Sequence, residues 1–163
     1  MNRQQTMTAL FAIADAYAKQ YEAQAAVLDR NAKIEKKALM IERNMASNCA
    51  SFARMEYNGN IYPVREKMVF RQYHYFDAYL EEFAGLTGDA RESFLVFAHA
   101  VTMVRGCFYD RHKTALEAAE TAGNAEGVFE NRLICGVCVQ ILDDWCAWWK
   151  ENGGVDCGGV SWN

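Results

Sequence analysis

The run FLVFAHAVTMV, from Phe94 to Val104, places eleven residues in succession without a formal charge. Read as a helix, it is apolar nearly all round. Such a helix offers no face to water, so it belongs at the centre of a fold with other elements packed around it. Those elements also read as helices. The 163-residue chain holds a single proline, Pro63, and its apolar positions recur mostly at steps of three and four. The expected fold is all-α, a single compact domain of roughly five helices over residues 1–152 with a Gly-rich tail at 153–163. A globule of this length buries roughly two-thirds of its unfolded surface, enough for a core without disulfide or metal staples.

The first stripe, Leu10, Ala14, Tyr17, Tyr21, Ala25 and Leu28, predicts a helix from about Thr6 to Leu28. A second stripe, Ile34, Ala38, Ile41, Met45 and Phe52, is out of phase with it. Either Asp29 or Asn31 ends one helix and caps the next, or one long helix changes phase at DRN. The Ala-rich seams suit close helix packing, within an antiparallel hairpin or across a homodimer contact. Between the N-terminal and central helices, Asn58-Gly59 suits a tight turn and Pro63 restricts any second strand to an edge. A small β-hairpin or a plain loop at 55–64 satisfies that stretch equally. A third helix, 64–84, should carry Phe76 and Phe83 inward and stop at Gly85. Asp89 and Glu92 read as a capping box for the central helix. That helix continues through Gly106 toward TAGNAEG, and a last helix runs from about Val128 to Lys150.

Four of the six cysteines cluster near the carboxyl end as Cys135-x2-Cys138-x7-Cys146-x10-Cys157. Thiolates at a CxxC spacing hold zinc in many structural sites, but those sites usually pair two such couples on loops. Here the one couple lies inside a helical stripe with Leu133, Val137, Ile141, Trp145 and Trp148, with Leu142, Cys146 and Trp149 on its flank. Free cysteine behaves there as a small buried hydrophobe, so core packing is expected and no cofactor is assigned. A zinc-binding regulatory module using Cys135, Cys138, Cys146 and Cys157 is the alternative. Scattered cysteines in a chain of this size also suit a reducing compartment, and the cytoplasm is the expected location. The apolar stretch after Arg3 is short and interrupted by Asp15, so no secretory leader is expected, and no run reaches membrane-spanning length.

His99, inside the uncharged run, reads as a core histidine that needs a hydrogen-bond partner; His74 and His112 read as surface residues. Neither HExxH, GxSxG nor the phosphate-cradling GxxxxGK[ST] occurs, and no catalytic residue is assigned. Charge is divided: residues 1–72 carry eleven Lys/Arg against seven Asp/Glu, and residues 73–163 carry six against fourteen. The basic stretch 30–43, with Lys33, Lys36 and Lys37, is the one candidate nucleic-acid surface, and its glutamates weaken it. A helix-turn-helix reading of Ala119, Gly123 and the following NAEGVFENR fails on charge, since two glutamates would face phosphate.

The chain is rich in tryptophan and tyrosine, the side chains that dominate the energetic centres of interfaces. The expected function is therefore a non-catalytic helical interaction module that binds and modulates or inhibits a larger cytoplasmic protein, of the kind mobile elements carry as inhibitors or adaptors. Tyr75, Tyr79, Glu82, Trp149 and Trp162 are its expected contact residues, at helix flanks or in the tail.

Overall fold

The computed structural model describes residues 1–54, 76 and 80–153. Their order is α1 (Arg3–Ala26), α2 (Lys33–Ala53), α3 (Leu80–Ala84), α4 (Gly88–Met103), a π-helical segment (Val104–Tyr109), α5 (Asp110–Ala122) and α6 (Ala125–Asn152). The fold is all-α and forms one domain, with no strand among the described residues. The turn or hairpin expected at 55–64 and most of the helix expected at 64–84 lie outside those residues. The end of that helix is described: α3 closes at Ala84, and the amide of Gly85 donates to Glu82 O at 3.1 Å.

Each helix start has a local cause. Asn2 caps α1 by accepting from the Gln5 amide, while the Gln5 side chain accepts from the Asn2 amide, each at 2.9 Å. This reciprocal box begins α1 three residues ahead of the expected Thr6 and satisfies two otherwise orphaned donors. The chain does break at DRN, but neither Asp29 nor Asn31 caps α2. Its N-cap is Ala32, without a side-chain bond, and Asp29 Oδ1 instead accepts from the Asn31 amide within the turn. The capping box expected at Asp89 is also corrected. Thr87 is the N-cap and Asp89 already lies in the first turn of α4, where its carboxylate complements the positive end of the helix dipole. Gly123, at φ 67°, ends α5 in the left-handed region. The Asn124 amide reaches back to Ala119 O at 2.9 Å, the longer bond of a Schellman turn. Asn124 then caps α6 through the Gly127 amide.

The uncharged run is the centre of the fold. Every residue of α4 from Ser93 to Met103 is buried, His99 among them. The helix passes without interruption through the π-helical segment into α5, whose only buried residue is Ala119. The wider turn carries Phe108, whose ring meets Phe52 of α2 edge-on at 5.1 Å. On the other side of the core, α6 buries Cys135, Val137, Cys138, Ile141, Leu142, Trp145 and Trp149. This stripe is rotated from the expected one, because Leu142 and Trp149 are inside while Leu133 and Trp148 are half-buried. The Trp145 indole N–H donates to the Leu10 carbonyl of α1 at 2.9 Å, with both residues fully enclosed.

Trp149 stacks on Phe97 with ring centres 4.7 Å apart and planes 9° from parallel. Phe94 lies 6.1 Å from the same indole and meets Phe76 edge-on at 5.9 Å. Gly153 closes α6 directly over the Trp149 indole, and a side chain built on Gly153 would overlap that ring. Gly153→Ala should therefore destabilise the protein by about 1–3 kcal/mol, the usual cost of overpacking a rigid ring. Thermal unfolding of the variant checks this. An unchanged midpoint would mean that the ring yields freely.

Candidate interaction surface

α1 and α2 form a helical hairpin joined by Val27–Ala32, and its two ends differ in character. Near the base the inward faces are sealed: α1 buries Met7, Leu10, Ala14, Ala18 and Tyr21, and α2 buries Met45, Ala46, Cys49, Ala50 and Ala53. From Glu22 to Asn44, through the tip and back, no residue is buried. The apolar stripe of α2 nevertheless continues into this distal part. It is enclosed at Met45, half-buried at Ile41 and 71% exposed at Ile34. Val27, at the end of α1, is 84% exposed, and Met40 is 54% exposed. Val27, Ile34, Met40 and Met1 are the large apolar side chains most open to water among the described residues.

The stretch that carries Ile34 and Met40 is rich in basic residues. Arg30, Lys33, Lys36, Lys37 and Arg43 outnumber Glu35 and Glu42 within residues 30–43. Lys37 is engaged within the molecule, since its ammonium group lies 3.1 Å from Glu126 and 3.3 Å from Glu130 at the start of α6. These two glutamates fix the hairpin against α6 and hold the Lys37 pKa above its ordinary value. α6 enters the core from Cys135 onward, whereas its first turns, which carry Glu126 and Glu130, contain no buried residue.

A polar seam continues down the hairpin. The Tyr17 hydroxyl donates to Asp144 and the Tyr21 hydroxyl to Gln140, across the α1–α6 boundary. Burial, then the Asp144 hydrogen bond and charge, push the Tyr17 hydroxyl up to about 12. Ile13, Ala16, Tyr17, Gln20 and Asp144 line a shallow cleft of about 320 Å³ here. A second cleft, about 250 Å³, lies at the base between Met1, Ala90, Ser93, Trp149, Asn152 and Gly153. Its serine hydroxyl donates to Met1 O.

Glu42, half-buried on α2, has its pKa raised by desolvation. A carboxyl group raised in the folded state favours folding below its unfolded pKa and loses that contribution as pH rises through the folded value. Glu42→Gln should therefore stabilise the protein modestly at neutral pH, with the gain vanishing in acid below the carboxylate range. Chemical denaturation at two pH values checks this. A loss of stability at neutral pH would contradict it.

Of the five expected contact residues, Glu82 and Trp149 are described. Glu82 is exposed on α3, whereas Tyr75, Tyr79 and Trp162 lie outside the described residues. Trp149 is corrected: it is 1% exposed and packed in the aromatic core. It follows Trp145 by four residues, which returns it to the same inward stripe after one helical turn. The apolar surface at Val27, Ile34 and Met40 was not anticipated. The sequence signal was confined to Ile34, a stripe position of α2 beyond its enclosed part; Val27 and Met40 lie off the stripes.

The cysteines lie along α6 as core residues, with Cys135 and Cys138 buried and Cys146 half-buried. Burial pushes the Cys135 thiol up to about 11 and the Cys146 thiol up to about 12. Cys157 is outside the described residues. Among the described residues no three His, Cys, Asp or Glu side chains converge in a way that could hold a metal ion. The Cys49 thiol of α2 and burial together raise the Cys138 pKa. His74 lies outside the described residues. His112 is not a free surface group: its Nδ1 lies 2.8 Å from Asn131 Oδ1, tying α5 to α6.

None of the described helices is long and apolar enough to cross a membrane. Comparison with protein-family models, curated proteins and solved structures finds no match for this chain.

Proposed function

We propose that this protein is a non-catalytic helical interaction module whose contact surface is the distal half of the α1–α2 hairpin. It binds a larger cytoplasmic protein there and modulates or inhibits it. The observation that carries this reading is the stretch from Glu22 to Asn44, which holds no buried residue and presents Val27, Ile34 and Met40 to water. Exposed large apolar side chains on a charged element are a common feature of recognition surfaces. The Lys/Arg excess around them favours an acidic partner surface with apolar pockets. A symmetric tip-to-tip homodimer would bring like charges together, so a different acidic protein is the better occupant.

The test compares capture from cytosol by the wild-type protein and by a Val27→Ser/Ile34→Ser double variant. One dominant protein should be retained by the wild type, survive nuclease treatment and be lost from the folded variant. Retention by both proteins would overturn the hairpin assignment. Capture that disappears with nuclease would favour nucleic-acid binding through Lys33 and Lys36 instead.

A further inference from the structure

We propose that the cleft between α1 and α6 is a binding site for an arginine side chain presented by a protein partner. It lies on the Ile13–Gln20 part of α1, ahead of the distal hairpin, so this inference is independent of the hairpin reading. Two pairs of side chains tie the helices together here, Tyr17 with Asp144 and Tyr21 with Gln140. The cleft opens beside the first pair. Ile13, Ala16, Tyr17 and Gln20 follow one another at helical spacing along a single face of α1, and Asp144 closes the opposite side from α6. Its volume of about 320 Å³ lies at the lower end of the range for small-ligand sites, enough for one long side chain.

The lining selects the ligand. The Tyr17 hydroxyl gives its only proton to Asp144 Oδ2, so the phenol oxygen and the carboxylate present acceptors and no donor. Oδ1 of Asp144 accepts from no group among the described residues. Gln20 is exposed at the rim, where its amide can turn its oxygen inward. None of the described lining residues is basic. Lys19, next to Gln20 in sequence, is engaged 2.9 Å from Asp15, and Asp143 adds an exposed carboxylate beside Asp144. An acceptor-lined, negatively charged cleft calls for a cation rich in donors. Its other half is apolar, made by Ile13, Ala16 and the Tyr17 ring. An alkyl stem covers Ile13 and Ala16, while a flat guanidinium forks onto Asp144 and lies against the ring. A lysine ammonium meets the carboxylate but has no plane to set on the ring. Free arginine is a poorer occupant, because its own carboxylate would stand near Asp143 and Asp144. Within a peptide that repulsion is gone.

The test titrates acetyl-arginine amide into the isotopically labelled whole chain and follows backbone amide shifts by NMR. Saturable shifts centred on Tyr17, Gln20 and Asp144 are expected, with a millimolar Kd. Acetyl-lysine amide should bind more weakly, and acetyl-citrulline amide, the neutral isostere, should not saturate. Asp144→Asn keeps an acceptor for Tyr17 and should weaken binding about tenfold, as a charge-assisted hydrogen bond becomes a neutral one. Ala16→Leu, at an exposed position, should fill the apolar half and abolish binding. The Val27→Ser/Ile34→Ser variant should bind as the wild type does, so failure here leaves the hairpin reading untouched. Shifts that stay linear in ligand concentration would overturn the proposal, as would an equal response to the citrulline compound or saturable shifts confined to Glu22–Asn44.

Discussion

Replacing Trp145 by alanine should cost about 3–5 kcal/mol of folding stability, the range for removing a large aromatic side chain from a closed core. The indole is completely enclosed, donates to Leu10 O at 2.9 Å, and is the side chain through which α6 grips the middle of α1. Domains of this size have only about 5–15 kcal/mol in total, so the loss is a large share of the stability. The midpoint should fall by roughly 10 °C, taking about 2–4 °C per kcal/mol at this chain length. Trp145→Phe separates the two contributions. The Leu10 carbonyl sits inside α1 and keeps its helical amide partner, so losing the indole donor leaves no unpaired acceptor. The phenylalanine variant should therefore cost about 1–2 kcal/mol, mostly for unfilled volume. Equal losses in the two variants would show that the hydrogen bond, and not the packing, holds the helices together.

The Val27→Ser/Ile34→Ser variant should behave in the opposite way. Both side chains are largely in water, and surface substitutions of this kind usually change stability by no more than about 0.5 kcal/mol. If these residues anchor a partner, their joint loss should weaken the complex by about 2 kcal/mol or more, roughly 30-fold in Kd. The measurement is a titration of the purified partner against both proteins, with thermal unfolding run alongside. Unchanged affinity in a folded variant would remove the hairpin tip from the interface. Reversing charge at Lys33 and Lys36 should instead slow association and reduce its salt dependence, because rim charges act mainly on encounter.

Much of this fold was legible in the residues. The uncharged run from Phe94 to Val104 had to be central because it has no polar face, and it is buried throughout. The end at Gly123 was legible because only a residue tolerant of positive φ suits that position. Helix starts were less so. The Asn2–Gln5 box lies before the first strong apolar position, and α2 begins without any side-chain cap. The rotation of α6 was missed because Trp148 and Trp149 are adjacent and equally apolar. Which one turns inward depends on the Phe97 ring that receives it, a contact that periodicity along one helix does not encode.

The candidate surface was harder to read. Aromatic residues were expected to mark it, yet Trp149 serves the core, and one of the exposed apolar groups, Ile34, lies on a stripe that looks continuous with buried positions. Ile34 and Met45 fit the same helical pattern. They differ only because the core ends between them, and where a core ends depends on the placement of α4 and α6.

The most direct measurement is amide hydrogen exchange of this protein alone and in its purified complex. Binding through the hairpin tip predicts new protection concentrated between Glu22 and Asn44, with the faces of α3 and the end of α6 unchanged. Protection centred on those other faces, with exchange at the hairpin unaltered, would contradict it.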